Sequence, residues 1–154
     1  MKLYQIKPGV LFQRGRFLKV PNEDKLATLI RHRITAVVNL TRTKDEAVAR
    51  RFVYIHIPIP DSKHVDFDVV ERGIQRALNV VRTGGAILVH CNAGRNRSSL
   101  FNAIMLMELY GMTGEQAIAW MRAYRANALA TPEFCEYLMK REVRYAKNSL
   151  VGSR

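Results

Sequence analysis

With 154 residues, 48% of them hydrophobic and 25% charged, the chain has the makeup of one globular domain with a substantial core, and internal repeats and low-complexity linkers are absent. Two cysteines, Cys91 and Cys135, cannot build a disulfide framework, no apolar run approaches a membrane span, and Met1–Pro8 lacks the apolar core of a signal peptide, so a soluble cytoplasmic protein is expected. The net charge of +12 points to a polyanionic partner (nucleic acid, an anionic membrane, an inositol phosphate or an acidic phosphoprotein) or to basic residues spread over a solvated surface.

Val10–Arg16 reads as a short strand and turn. After Pro21, Asn22 is the expected N-cap of a helix with Leu26, Leu29 and Ile30 on one face. Ile34–Leu40 is β-branched and apolar, hence a second strand. Thr43 and Glu46 have capping-box spacing and predict a short helix to about Arg51, and Phe52–Ile57 alternates into a third strand. Pro58 and Pro60 break that strand into a loop carrying Asp61. Asp66 or Asp68 then opens a helix whose Val70, Ile74, Ala77, Leu78 and Val81 recur at helical spacing, ended by Gly84 and Gly85.

A short apolar run, Ala86–Val89, follows as a buried strand leading into Cys91. The helix after Arg97 runs to about Tyr110 and is apolar nearly all round, as expected at the centre of a domain. Thr113 and Gln116 form a second capping box before Ile118, Trp120 and Met121. Pro132 opens a last helix carrying Phe134, Tyr137 and Leu138, with Cys135 as a core thiol. From Lys140 the chain turns basic, with Arg141, Arg144, Lys147 and Arg154 against Glu142, and is expected to fray from about 147. The alternation implies one α/β domain over 1–154: a mostly parallel central sheet with helices on both faces, the strand ending at His90 in the middle, and the functional loops at the carboxyl ends of the strands.

Strand, loop and helix around Cys91 make the layout of an anion cradle. Backbone N–H groups of Asn92, Ala93, Gly94, Arg95, Asn96 and Arg97 can point inward, and the helix dipole favours negative charge at its mouth. Both features favour the thiolate form of Cys91. The planar guanidinium of Arg97 can bond two phosphate oxygens at once.

His90-Cys91, five further residues ending at Asn96, then Arg97-Ser98, resembles the phosphate loop of the cysteine-dependent dual-specificity and protein tyrosine phosphatases. On that loop, its strand and its helix the chain is identified as a small single-domain member. Val10–Arg16 is similar to a segment of several small dual-specificity phosphatases, which would bring Arg14 and Arg16 to the site rim, and Arg125 with Pro132 and Phe134 resembles their ending. The resemblance implies that Cys91 attacks phosphorus, that Arg97 and the loop amides hold the phosphoryl oxygens, that Ser98 donates to the sulfur and that His90 orients the loop. It also implies an Asp about thirty positions upstream as general acid, which is Asp61; Asp66 and Asp68 are the rivals, more simply explained as helix caps. No metal or other cofactor is expected, since His32, His56 and His64 show no ligand spacing.

For the substrate, the first reading is a phosphorylated protein, dephosphorylated at tyrosine and at serine or threonine by a monomeric enzyme. Arg95 adds a cation inside the loop, where superfamily members acting on phosphoinositides or inositol polyphosphates often carry Lys. The spelling Gly94–Arg97 also resembles that of RNA 5'-triphosphatases, although Ser98 and Ser99 stand where those have Thr-Gly. A phosphate-binding module without turnover is the third reading, against which Cys91, Arg97 and Asp61 are all intact.

Overall fold

Five short strands build one sheet in a computed structural model that describes residues 2–141. They are β1 (Tyr4–Lys7), β2 (Leu11–Gly15), β3 (Ala36–Asn39), β4 (Val53–His56) and β5 (Ile87–Cys91), in the order β1-β2-β5-β3-β4. All neighbours run parallel except β1, which pairs antiparallel with β2 at the edge. The expected mostly parallel sheet is therefore present, with β5 in the centre. In β3 and β5 every residue is buried, because both faces of a central parallel strand are covered by helices.

The side chains divide by pleat. Ala36, Val38, Ile87 and Val89 face one layer, made by α3 (Phe67–Arg82), α4 (Arg97–Tyr110), α5 (Gly114–Tyr124) and α6 (132–141). Val37 and Leu88 face the other, with Leu29 of α1 (Asn22–Arg31) and Val48 of α2 (Glu46–Ala49). Helix α4 is buried on every side over its first eleven residues, from Arg97 to Met107, as its all-round apolar sequence requires. Gly111 ends it at φ 68°, a left-handed cap that suits glycine. Thr113 and Gln116 form both bonds of the expected capping box. Among the described residues no helix is long and apolar enough to cross a membrane.

Several local expectations are corrected. Strand β1 precedes the first expected strand; it is short, partly exposed and carries no run of alternation. Pro21, not Asn22, occupies the cap position of α1, and no side chain bonds there. Ile30 of that helix is 61% exposed, while Lys25 is buried in its place, paired with Asp45 at 2.7 Å. Asp45, not Thr43, caps α2 by accepting from the Val48 N–H, and its own N–H donates to Tyr54 Oη. Arg141, at the start of the basic ending and ahead of the expected fraying, is buried and paired with Glu71 and Glu108, while Glu71 also accepts from Tyr137 Oη. The rest of the basic ending, 142–154, lies outside the described residues.

Candidate active site

The three parallel strands β2, β5 and β3 end side by side at Gly15, Cys91 and Asn39, and the loop 92–96 rises from the middle one. Its carbonyls are taken up from outside. Asn92 O accepts from Arg16 N–H at 2.8 Å, Ala93 O from Arg125 Nη1 at 3.0 Å, Gly94 O from Gln13 Nε2 at 2.9 Å, and Arg95 O from Leu129 N–H at 3.1 Å. With four successive carbonyls turned outward, the N–H groups of residues 92–96 make no hydrogen bond to any described residue. This is the backbone geometry of an anion nest, completed by the N-terminus of α4.

Gly94 makes the loop's turn possible. Its φ is 68°, and a Cβ there would lie 2.5 Å from Gly15 N, inside van der Waals contact with the end of β2. Gln13 supports the loop from that same strand: it also donates to Ser99 Oγ at 3.0 Å and accepts from Asn102 Nδ2 at 2.9 Å. A buried amide with its donors and acceptor engaged makes a rigid prop. Gln13 carries no local signal of this role in the sequence, because its partners lie more than eighty positions away.

Cys91 is 3% exposed, with Sγ 3.2 Å from Ser98 Oγ. Arg97, the first residue of α4, is 7% exposed. Its Nη1 donates to Ile59 O at 3.0 Å and to Leu40 O at 3.4 Å, while Nε has no partner among the described residues. The expected residues Cys91, Arg97 and Ser98 are thus together. Asp61 joins them: Asn96 Nδ2 donates to Asp61 Oδ1 and to Thr131 Oγ1, both at 2.7 Å. Asp66 instead accepts from the N–H groups of Asp68 and Val69 as the cap of α3, and Asp68 lies in that helix's first turn. His64 is exposed, its N–H donating to Ser62 Oγ.

His90 lies beneath, fully buried, its ring 5.2 Å from that of Phe17. Neither ring nitrogen has a hydrogen-bond partner among the described residues, so its contribution to the loop is packing. Burial in this apolar setting drags the imidazole pKa from 6.5 down to about 3. Asp45 opposes that shift, while Lys25, His56 and Arg97 add to it.

A cleft of about 560 Å³ opens over Cys91, lined also by Arg16, Leu18, Lys19 and Thr43. A hollow of about 440 Å³ adjoins it, sharing Leu18, Thr43 and Asn92 and reaching Arg42, Pro60 and Asp61. Arg125 holds the loop through its bond to Ala93 O, a role that its place in the sequence did not assign. Of the other expected cations, Arg16 lines the cleft, whereas Arg14 and Arg95 are not among the residues lining either hollow. Lys19, which ends the short 3-10 helix Phe17–Lys19, and Arg42, in the loop after β3, carry no sequence signal, since a lone basic residue forms no pattern. Among the described residues no group of three or more His, Cys, Asp or Glu side chains could hold a metal ion.

A buried sulfur at the foot of an amide nest, a buried guanidinium and a nearby carboxylate define the class of cysteine-based phosphate-loop proteins. Residues 17–144 match the family described as "Dual specificity phosphatase, catalytic domain", and the chain belongs to that family. It is 30% identical over 145 residues to Dual specificity protein phosphatase 1B of Arabidopsis thaliana, covering 91% of this chain and 81% of that one. It is 34% identical over 105 residues to human Dual specificity protein phosphatase CDC14A, covering 67% of this chain but spanning only 17% of that relative's length. Among solved structures, a single-site variant of human DUSP28 superposes with TM-score 0.82 at 27% identity, over 97% of this chain and 99% of that one.

Proposed function

We propose that this chain is a cysteine-dependent phosphatase that hydrolyses phosphomonoesters of proteins, at tyrosine and at serine or threonine, through a phosphocysteine intermediate. The observation that carries the reading is the loop over residues 92–96, whose carbonyls are held outward around the buried sulfur of Cys91. The unpartnered Nε of Arg97 fits an anion seated there, because a buried donor needs an acceptor. Relatives named as dual-specificity phosphatases support the activity.

In the first step the Cys91 thiolate forms a bond to phosphorus as the ester P–O bond breaks, and Asp61 gives its proton to the leaving oxygen. Arg97 and the amides of residues 92–97 stabilise the charge on the three equatorial oxygens. In the second step water attacks phosphorus, Asp61 takes the water's proton, and the S–P bond breaks. Ser98, 3.2 Å from the sulfur, donates to the departing thiolate.

Hydrolysis of a phosphotyrosine peptide and a phosphoserine peptide, with Cys91→Ser as the blank, tests this. Turnover above the blank is expected for both. Activity equal to the blank on every phosphoester would overturn the reading and leave a phosphate-binding module.

A further inference from the structure

The two hollows over the loop are one groove, since they share Leu18, Thr43 and Asn92. Its cations stand apart along the walls. Arg16 and Lys19 follow β2 at one end, and Arg42 lies in the loop between β3 and α2 across from them. All three are exposed, and none forms an ion pair with a carboxylate among the described residues. Among the described residues, the only acidic side chain lining the groove is Asp61.

Both walls are fixed. Arg16 adopts the left-handed conformation, φ 53° and ψ 28°, uncommon outside glycine, and is held there by its N–H bond to Asn92 O. On the other wall Asn39 donates to Thr43 O at 2.8 Å and accepts from Thr41 N–H at 2.9 Å, so the turn carrying Arg42 is pinned on both sides. Beside the charges the lining is mixed, with apolar Leu18, Ile59 and Pro60 next to polar Thr41, Thr43, Ser62 and Asn92.

We infer that this groove binds an acidic phosphopeptide segment: acidic side chains flanking the phosphoresidue meet Arg16 and Lys19 on one side and Arg42 on the other, and an apolar side chain lies against Leu18. Arg16 and Lys19 line one hollow and Arg42 the other, so carboxylates on both sides of a phosphoresidue match them. The backbone and apolar side chains of a peptide suit the mixed lining of Thr41, Thr43 and Ser62 with Leu18, Ile59 and Pro60 better than a polyol phosphate, which carries little apolar surface. The inference rests on the phosphatase reading above and names the kind of protein segment it acts on.

The test compares two phosphotyrosine peptides that differ only in flanking Glu residues changed to Gln. For the wild type, kcat/KM for the acidic peptide exceeds that for its neutral twin by about tenfold in low salt, and the ratio shrinks as salt screens the contacts. In Arg16→Asn/Lys19→Gln/Arg42→Gln the ratio falls to about one; Asn tolerates the backbone of position 16. A wild-type ratio of one, a ratio that survives the triple change, or tighter competition by an inositol bisphosphate than by the acidic peptide overturns the inference. Calorimetric binding of both peptides to Cys91→Ser, with and without the triple change, separates the two readings. Selective binding without wild-type turnover of any phosphoester sinks the phosphatase reading and keeps the groove. Turnover of both peptides without discrimination sinks the groove alone.

Discussion

The carboxamide of Asn96 donates to Asp61 Oδ1 at 2.7 Å, joining the loop after β5 to the loop after β4. Asn96 is itself held at Thr131, whose N–H donates to its Oδ1, so the carboxylate is anchored through to the start of α6. Asp61→Ala should therefore slow alkyl phosphoesters by roughly 10²–10⁴-fold, while esters of acidic phenols, which leave unaided, lose much less. Asn96→Ala should reproduce about tenfold of that loss, and the double variant should be little worse than Asp61→Ala. Steady-state rates over a series of leaving groups measure this; additive losses would mean that Asn96 acts independently of the acid.

Ser98 bears on the second step rather than the first. Ser98→Ala should leave the burst of alcohol release intact and slow the steady state by about tenfold, the cost of one hydrogen bond to a charged sulfur. Stopped-flow release of an aryl alcohol reads both phases. A burst slowed as much as the steady state would place the hydroxyl in the attack.

Gly94→Ala meets two obstacles, a positive φ and backbone atoms of Gly15 within 3 Å of the added carbon. It should cost about 1–3 kcal/mol of stability and lower phosphate affinity by tenfold or more, since the loop must move off β2. Urea unfolding and phosphate competition check it. Unchanged values for both would show that the loop has more room than its contact with β2 allows.

The buried His90 makes stability depend on pH. With its folded pKa pulled from 6.5 to about 3, the unfolded chain binds the extra proton first, so stability is lost as pH falls through 6.5 and continues to fall towards 3. Each pH unit within that window costs about 1.4 kcal/mol from this group. His90→Leu should remove that part of the slope between pH 6 and pH 4 in urea titrations. An identical slope in the variant would assign the acid sensitivity elsewhere.

The sequence carried the parts of this molecule that depend on local chemistry. Cys91, Arg97 and the apolar runs on either side were legible because strand, loop and helix are contiguous there, and Thr113 with Gln116 because a capping box is closed within four residues. The parts set by distant partners were not. Asp45 displaces Thr43 as the cap of α2 because Lys25 and Tyr54 converge on it from other elements. Gln13 props Gly94 across the sheet, and Ile30 faces solvent because α1 turns Lys25 and Leu29 inward instead. Strand β1 is held by distant partners: it pairs with β2, buries Ile6 in the core and bonds to α5, where Trp120 Nε1 donates to Ile6 O at 2.9 Å.

The most direct test of the account is acid quenching during turnover, followed by mass spectrometry of the peptide containing Cys91. A phosphoryl group on Cys91, present with substrate and absent from Cys91→Ser, is the predicted result. Sustained hydrolysis with no phosphoryl on that sulfur, or with the group on another side chain, would contradict it.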